Sequence, residues 1–243
     1  MNSITKDYLI SIAIPIHKTN NGEFFLRELL NSIKKQDYKN FEVIISDSSN
    51  EDIYKKVINE FEDEFKILHI PSKFKTLARN ASNALSEASG DIVKPMFSDD
   101  IFLNKNCLNH INDIFNYKKI SWMAMSSYDF RSKINNKIVP LTGRVPMWNR
   151  KLLFGKNTIG APSAIAYRSE FKEGFDINLR YLIDCDFYFR LMSKYGEPYF
   201  SSKYYIGIRH HQEQETELIN NIDKLKEKIY LIYKYTIKKI FTA

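Results

Sequence analysis

The fold is decided by three consecutive segments near the N-terminus: YLISIAIP (residues 8–15), GEFFLRELLNSIKKQ (22–36) and FEVIIS (41–46). The first and third are short apolar runs rich in β-branched residues, as expected of strands that are buried on both faces. The middle segment repeats apolar residues at three- and four-residue spacing, which predicts an amphipathic helix. Strand, helix and strand in this order predict a βαβ unit.

The same alternation continues as far as residue 97. It predicts helices over 51–63 and 75–89 and strands over 65–70 and 91–97. Alternation of this kind is typical of an α/β protein in which a mostly parallel, Rossmann-like sheet is flanked by helices. Ligands bind at the carboxyl ends of parallel strands, so we expect a site at the residues that follow Pro15, Ser46 and Phe97.

The pattern changes after about Tyr128. A hairpin is predicted around 135–144, a helix over 180–194 and a strand over 203–208. We interpret this part as the cover of the sheet, which shapes a second ligand pocket. Residues 218–241 predict a final helix with apolar residues on one face and lysines elsewhere. The apolar residues are Leu218, Ile222, Leu225, Ile229 and Ile232, and the lysines are Lys224, Lys226, Lys228, Lys234, Lys238 and Lys239.

Composition narrows the class of protein. A chain of 243 residues with 44% hydrophobic residues and few Gly and Pro is predicted to form one globular domain. The net charge of +7 favours phosphate-bearing partners, anionic membranes or nucleic acid without choosing among them. Two isolated cysteines, no signal-peptide pattern and no apolar run long enough to span a bilayer predict a cytoplasmic protein.

The pair Asp99–Asp100 in MFSDDI ends the fourth predicted strand. Two carboxylates at such a position can hold a hard divalent cation. Alternatively, an aspartate there caps or turns into the next element. Asp47 poses the same choice, because it could accept hydrogen bonds from a base or sugar, or cap the helix that begins near Glu51. Arg79 could pair with Asp99 or with a phosphate, or could be a solvated charge.

Asp184 and Asp186 in YLIDCDFYFRL are too close in sequence to share a helix face, so at most one is expected to face a pocket. That carboxylate could act as a general base, and the alternative is a helix cap. His210 and His211 follow the strand 203–208 and could ligate a metal or contact phosphate, or be surface residues. For the final helix, packing on the domain and attachment to a membrane surface both remain open.

Taken together, these segments resemble the family 2 glycosyltransferases, which share the GT-A fold. The resemblance covers roughly residues 8–216 and rests on the order and spacing of several motifs. They are SIAIPIHKTN, FLRELLNSIKKQDYKNFEVIISDSS, LARNASNALSEASGDIVKPMFSDD, IDCDFYFRLMSKYG and RHHQEQET. It implies a GT-A domain over 1–216, with a nucleotide-binding half to about 103 and an acceptor-binding half from about 104. A basic amphipathic helix would follow over 217–243.

The resemblance also implies a role for each matched residue. Donor-nucleotide contacts are implied for Pro15, His17, Asp47, Arg79, Ser98 and Asp99. A divalent cation, Mn²⁺ or Mg²⁺, is implied at Asp99 and His211, and the catalytic base at Asp184. Asp100, Asp186 and Gln214 are further candidates beside these positions. Two departures from the family pattern stand out, because Phe97 replaces the first acid of Asp-x-Asp, and Ile183 replaces the first acid of the usual Glu-Asp pair.

The activity implied is inverting transfer of a sugar from a nucleotide diphosphate sugar to a hydroxyl group. UDP is the commonest nucleotide in the family, and the acceptor would be a saccharide or lipid-linked glycan, as in surface polysaccharide synthesis. Peripheral contact with the inner face of the membrane would go through the final helix. The alternatives are a non-catalytic carbohydrate- or nucleotide-binding scaffold and, with no supporting motif, a nucleic-acid-binding protein.

Overall fold

Residues 10–95 build the first, all-parallel part of the sheet. The computed structural model describes residues 5–134 and 137–237. Strands and helices alternate as β1 (Ile10–Ile16), α1 (Gly22–Lys34), β2 (Phe41–Asp47), α2 (Asp52–Asn59), β3 (Ile67–Pro71), α3 (Leu77–Ser86) and β4 (Ile92–Pro95). The strands lie in the order β3-β2-β1-β4 and all pair in parallel. The α/β fold predicted from the sequence is therefore confirmed.

The second half extends the same sheet with antiparallel pairs and with one parallel pair, β6 with β9. Its elements are β5 (Ile101–Phe102), α4 (Cys107–Tyr117), β6 (Trp122–Ile134), β7 (Lys137–Arg144), β8 (Ile165–Arg168), α5 (Ile183–Tyr195) and β9 (Tyr199–Arg209). Within the described ranges, nine strands form one sheet in the order β3-β2-β1-β4-β8-β6-β9-β5, and β7 pairs with β6. The predicted hairpin is formed by β6 and β7, although Asn135 and Asn136 lie outside the described residues.

Helices cover both faces of the sheet and form two main apolar clusters. Strands β1 and β2 are buried along their full length, which explains their continuous apolar sequence. One cluster joins these strands to α1, α2 and α4, and the other joins α3 and α5 to β8 and the start of β6. The apolar clusters hold the strand ends in place. Side chains that follow the strands can therefore be fixed in position in a functional site.

The pairing of β5 with β9 brings two distant segments together. Ile101 pairs with Gly207 in antiparallel register, so the residues just before Ile101 lie beside the residues just after Gly207. The acidic pair at the end of β4 therefore meets the histidine pair at the end of β9. Hydrophobic patterning predicted both strand ends, and the family resemblance had implied that Asp99 and His211 lie close enough to share a cation.

The C-terminal segment is a broken helix, where the sequence predicted a continuous one. The helices α6 (Glu215–Leu218) and α7 (Asn221–Ile232) are followed by a π-helical turn, Tyr233–Ile237. The break falls at Asn220, whose side chain accepts a hydrogen bond from the backbone N–H of Asp223 and so caps α7. The predicted helical residues beyond Ile237, with Lys238 and Lys239, lie outside the described residues.

The apolar stripe of this segment faces solvent. Four of its five predicted members, Leu218, Ile222, Leu225 and Ile229, are more than half exposed, whereas Ile232 is partly buried. A different face packs on the domain, where Leu231 is 1% exposed within the second apolar cluster. Lys234 belongs to this packing face as well, because its ammonium group binds Asp176 and Asp186. In the described part of the chain, no helix combines the length and apolarity that a membrane span requires.

Candidate active site

A single open cavity collects most of the side chains singled out by the sequence. It lies at the carboxyl ends of β1 and β4 and has about 1190 Å³ of empty space, its open mouth included. The predicted residues that line it are Pro15, His17, Ser98, Asp99, Asp100, Asp184, His211 and Gln214. Asp47, Arg79 and Asp186 are not among its lining residues. The crevice expected at the end of a parallel sheet is thus present and carries carboxylates from two different segments.

Asp99 stands at the centre of a polar cluster on one side of the cavity. Its Oδ2 lies 3.0 Å from Nε2 of His211 and accepts a longer hydrogen bond, at 3.3 Å, from Nε2 of Gln214. Arg209 holds the cluster from behind, because its Nε donates to the carbonyl of Asp99 and its own carbonyl accepts from Gln214. The guanidinium of Arg209 is buried and pairs with Glu28, so its charge is compensated.

The donor set of this cluster fits a divalent cation. Asp99 Oδ2 and His211 Nε2 lie 3.0 Å apart, within hydrogen-bond distance, and a carboxylate oxygen beside an imidazole nitrogen is a pair of ligand types that divalent metals accept. Within the ranges that the structure describes, no three His, Cys, Asp or Glu side chains come together to hold a metal ion by themselves. A cation held by Asp99 and His211 therefore needs further oxygen ligands from a bound molecule.

Asp100 lies at the floor of the cavity, where its carboxylate is buried among other polar groups. It is 2% exposed and accepts the backbone N–H of Arg209 at 3.1 Å. Burial, with Asp99 adjacent, raises the pKa of Asp100 well above its ordinary range. Burial also lowers the pKa of Lys94 to about 7. The Lys94 ammonium donates to the carbonyls of Pro95 and Ser163 and so ties the end of β4 to the segment before β8.

Phe97, which replaces an acid of the family motif, is held in place by packing. Its ring is partly buried against the second apolar cluster and also lines the cavity. Its backbone N–H donates to Oγ of Ser163 at 2.9 Å. The phenyl ring offers no metal ligand, so the carboxylate of Asp99 is the acid that this strand end presents to the cavity.

Asp184 lines the cavity from the first turn of α5. Its Oδ1 accepts the backbone N–H of Cys185 at 2.7 Å, and its Oδ2 accepts from Nδ2 of Asn157 at 2.5 Å. Burial raises the pKa of Asp184 to about 6, although the hydrogen bonds from Cys185 and Asn157 oppose the rise. Burial raises the pKa of Tyr181 and Tyr188, and the nearby Asp184 charge adds to the rise. A carboxylate of this kind is mostly ionised at pH 7 and is a stronger base than an ordinary aspartate.

Asn157 was not predicted from the sequence. Its Oδ1 accepts the backbone N–H groups of Ile159 and Gly160, both at 2.9 Å, which fixes the side chain within its own loop. Gly160 has a φ of 128°, a conformation that favours glycine. With Oδ1 fixed in this way, the Nδ2 group of the Asn157 amide points at Asp184. A polar loop residue 27 positions upstream of the candidate base carries no local signal of this role.

Asp186 is placed in the protein interior, which corrects its inclusion among the candidates. Its side chain is fully buried and accepts hydrogen bonds from Arg190, Lys234 and Tyr235. Residues two apart on a helix point in very different directions, so Asp184 faces the cavity while Asp186 faces the core. Asp186 is therefore a structural ion-pair partner.

Asp47 and Arg79 lie away from the cavity. The carboxylate of Asp47 is occupied by the backbone and hydroxyl of Ser49 and by His69 at 3.1 Å. Burial would raise the pKa of Asp47, but these hydrogen bonds lower it below the ordinary value. Asp47 does not cap α2, whose N-cap is Glu51. Arg79 is exposed on α3 and has no ion-pair partner among the described residues, so its contact with a phosphate stays a prediction.

A contact between two loops closes one side of the site. Asn20, in the loop after β1, donates its backbone N–H to Glu213 at 2.9 Å and its side-chain amide to the same carboxylate. Glu213 lies between His211 and Gln214, the two residues that contact Asp99. The loop after β9 is therefore held over the cavity by the loop after β1. Neither Asn20 nor Glu213 was singled out by the sequence.

A Rossmann-like sheet with an acidic strand end and a second carboxylate within the same cavity is the arrangement of the GT-A class of glycosyltransferase. The chain belongs to this class through glycosyl transferase family 2, whose family model matches residues 11–172. The match includes Asp99, whereas Asp184, His211 and Gln214 lie beyond its end. The resemblance inferred from the sequence motifs is confirmed.

Individual relatives show how far the likeness extends. The chain is 33% identical over 98 residues to the Escherichia coli UDP-Glc:α-D-GlcNAc-diphosphoundecaprenol β-1,3-glucosyltransferase WfgD, covering 40% of this chain and 37% of that relative. The S. aureus TarS 1–349 structure with UDP-GlcNAc superimposes with a TM-score of 0.69 at 19% identity, covering 92% of this chain and 65% of TarS 1–349.

Another solved structure shares the fold. Glucosyl-3-phosphoglycerate synthase from Mycobacterium tuberculosis, in complex with Mn²⁺, UDP and glucosyl-3-phosphoglycerate, gives a TM-score of 0.59 at 14% identity. The superposition covers 93% of this chain and 79% of the synthase chain. At such identities the structural likenesses establish the fold alone, and the chain spans little more than a third of the curated relative's length.

Proposed function

We propose that this protein transfers a sugar from a UDP-sugar to a hydroxyl group of a saccharide or lipid-linked acceptor, with inversion at the anomeric carbon. The proposal rests on one observation, which is that two candidate sites lie in the same cavity. Asp184 is a base with a raised pKa, and the Asp99–His211 pair fits a cation. The first suits deprotonation of an acceptor and the second suits a diphosphate leaving group.

The reaction balances with one base and no covalent intermediate. The acceptor oxygen forms a bond to the anomeric carbon while the bond from that carbon to the diphosphate oxygen breaks. The electron pair leaves with the nucleoside diphosphate, and the acceptor proton passes to Asp184. A single displacement of this kind inverts the anomeric centre, because the nucleophile and the leaving group occupy opposite faces of the carbon.

A divalent cation, Mn²⁺ or Mg²⁺, would be held by Asp99 and His211 and completed by diphosphate oxygens. When bound, it supplies charge stabilisation for the departing diphosphate. Gln214 donates to Asp99 and so orients that ligand. The Mn²⁺ and UDP in the M. tuberculosis synthase structure support this choice of cation and nucleotide.

The acceptor is proposed by analogy with the curated relative. The name of the E. coli enzyme specifies a diphosphoundecaprenol-linked GlcNAc acceptor. An exposed apolar stripe on the helix that packs beside the cavity wall is consistent with work at a lipid surface. Contact with an anionic membrane through this stripe is part of the proposal, as is a location at the cytoplasmic face.

Thermal unfolding with and without ligands tests the core of the proposal. A ligand that binds only the folded state raises the melting temperature. We expect UDP with Mn²⁺ to raise it more than UDP alone or GDP with Mn²⁺. UDP-glucose and UDP-GlcNAc are then assayed for transfer to a short-chain polyprenyl diphosphate-linked GlcNAc. If no nucleoside diphosphate changes the melting temperature, with or without Mn²⁺, the proposed donor site is wrong.

A further inference from the structure

The segment that leads into Asp184 is bound by a single carboxylate of the C-terminal helix. Glu227, on α7, accepts three backbone N–H bonds, from Arg180, Tyr181 and Leu182, each at 2.9 Å. These residues directly precede α5, whose second residue is Asp184. Hydrogen bonds to an ionised acceptor are roughly twice as strong as neutral ones, so the three bonds form a firm anchor.

The same part of the chain also binds the residues that follow Asp184. Asp186 accepts hydrogen bonds from the ammonium of Lys234 at 2.6 Å and from the hydroxyl of Tyr235 at 2.5 Å. Both donors lie in the π-helical turn after α7. Asp184 is thus flanked on both sides by residues tied to the C-terminal segment. The first tie is to backbone amides and the second is to a buried side chain.

Helix α5 has little else to fix its start. Its N-cap residue is Leu182, whose side chain makes no capping hydrogen bond. The carboxylate of Glu227 lies at this helix N-terminus, where a negative charge is also favoured by the helix dipole. Leu231 of α7 packs in the same apolar cluster as Leu182 and Ile183. Glu227 therefore bonds the backbone N–H of the N-cap residue Leu182 and of the two residues before it, while Asp184 itself accepts the N–H of Cys185 in the first turn.

Position matters for a general base more than for an ordinary surface carboxylate. The base must lie within hydrogen-bond reach of the proton that it removes, and a misplacement of about 1 Å can cost about a hundredfold in rate. Arg180 and Tyr181, two of the residues bound by Glu227, also line the cavity. An anchor on residues 180–182 therefore fixes the position of both Asp184 and the adjoining cavity wall.

We infer that Glu227 is a positioning residue, which holds Asp184 in its working place from outside the cavity. The inference rests on the proposed function in one respect, the role of Asp184 as the base. It makes the C-terminal helix part of the catalytic machinery, in contrast to the sequence-based prediction of a helix that only packs or attaches. The outward face of α7 remains available for a separate role.

The test compares two carboxylates on α7. Glu227→Gln removes the anion that collects the three N–H bonds. Asp223→Asn removes the same charge from the same helix; the hydrogen bonds of Asp223 go to Asn220 and Lys226, and Arg180 acts on its carboxylate only through a weaker electrostatic effect. Tyr235→Phe is a milder variant that deletes one hydroxyl from the other tie, in case Glu227→Gln does not fold. Melting temperatures establish that each variant is folded before it is measured.

Two readouts require no knowledge of the substrate. Amide hydrogen exchange of residues 180–182, followed by NMR, should accelerate at least about tenfold in Glu227→Gln and stay unchanged in Asp223→Asn. The pKa of Asp184, measured from its ¹³C carboxyl resonance, should fall towards the ordinary value in Glu227→Gln, because a loosened segment admits water. Tyr235→Phe should shift the Asp184 resonance in the same direction by less. Unchanged exchange and an unchanged Asp184 titration in Glu227→Gln would overturn the inference.

Turnover separates this inference from the proposed function. With a UDP-sugar that the enzyme uses, including slow hydrolysis of UDP-glucose with Mn²⁺, Glu227→Gln should lower kcat about tenfold or more at unchanged KM for the donor. In an Asp184→Asn background, Glu227→Gln should have no further effect on kcat, because it acts through Asp184. A wild-type rate in Asp184→Asn would refute the base and the proposed function, while the exchange result for Glu227 would still stand or fall on its own.

Discussion

Nε2 of His211 lies 3.0 Å from Oδ2 of Asp99, although the two residues are 112 positions apart in the chain. The contact follows from the register of β5 on β9, which sets the residues before Ile101 beside those after Gly207. The two side chains approach from neighbouring strand ends. They therefore form a preorganised pair on a rigid part of the fold.

Asp99→Asn should abolish metal-dependent binding of UDP, because it removes the anionic oxygen ligand of the site. Replacing partners that only orient metal ligands already costs about 10–100-fold in metal affinity. We therefore expect Mn²⁺-dependent affinity for UDP to fall by at least that factor in isothermal titration calorimetry. Equal affinity of Asp99→Asn and the wild type in the presence of Mn²⁺ would refute the metal role.

The adjacent histidines offer a matched pair of variants. His211 contacts Asp99, whereas Nε2 of His210 lies 3.5 Å from the carboxylate of Asp129. His211→Ala should weaken Mn²⁺-dependent UDP binding by about 10-fold or more, and His210→Ala should leave the Mn²⁺ dependence intact. The measurement is UDP affinity titrated at several Mn²⁺ concentrations. A loss of Mn²⁺ dependence in His210→Ala alone would show that the wrong histidine has been assigned.

Hydrophobic periodicity was sufficient to predict the parallel half of the fold. The runs that became β1 and β2 are continuous and apolar because both faces are covered, and α1 has a clear apolar stripe. The 13-residue strand β6 was not predicted. Its sequence, WMAMSSYDFRSKI, neither alternates strictly nor stays apolar, because different stretches of the strand pair with β8, β9 and β7.

The sequence predicted those site residues that belong to a recognisable motif. It did not predict those whose role depends on contacts between residues far apart in the chain. Asp99 and Asp184 carry local signals of a strand end and a helix start. The roles of Asn157 and Glu227 depend on which loop or helix folds back onto Asp184, and one-dimensional spacing does not encode this. The apolar stripe of the last helix was predicted correctly as a pattern, but its outward direction is a property of the fold.

That stripe should bind anionic membranes. Leu225 and Ile229 are each 58% exposed, and Lys226 nearby is exposed as well. The double variant Leu225→Asn/Ile229→Asn should lose co-sedimentation with phosphatidylglycerol vesicles, because burial of apolar area provides most of the binding free energy. Tyr117→Asn removes a large residue that is 69% exposed on α4, away from the stripe, and should bind as the wild type does. The same sedimentation for all three proteins would contradict the prediction.

Asp184→Asn should reduce transfer about 10²–10⁴-fold while donor affinity stays nearly unchanged, because the variant keeps the shape but cannot accept the proton. In the wild type, kcat should fall as the pH drops through about 6, since burial raises the pKa of Asp184 to that value. The measurement is kcat between pH 4.5 and about 8. A rate that stays level down to pH 5 would show that a group with an ordinary or lower pKa, or no base at all, controls the step.

The two carboxylates flanking Cys185 should contribute differently to stability. Asp184 has a higher pKa in the folded protein than in the unfolded chain, so its ionised form costs stability above about pH 6. Relative to Asp184→Asn, the wild type should therefore lose a few degrees of melting temperature between pH 4 and about pH 7.5, since about 1 kcal/mol corresponds to about 2–4 °C for a domain of this size. This loss should shrink as the pH falls through 6 towards 4, where the wild-type carboxyl is protonated in both states.

Asp186→Asn should instead lower the free energy of unfolding by about 1–3 kcal/mol, because it removes a buried carboxylate shared by two partly buried cations, which keep Glu173 and Asp176 as partners. Those cations are Arg190 and Lys234, at 2.8 and 2.6 Å from Asp186. Its effect on turnover should be small beside that of Asp184→Asn, provided that the variant is assayed below its melting temperature. Calorimetric unfolding of both variants checks the signs. Stabilisation by Asp186→Asn, together with no loss of wild-type melting temperature relative to Asp184→Asn as the pH rises to about 7.5, would mean that the roles of base and structural anion are exchanged.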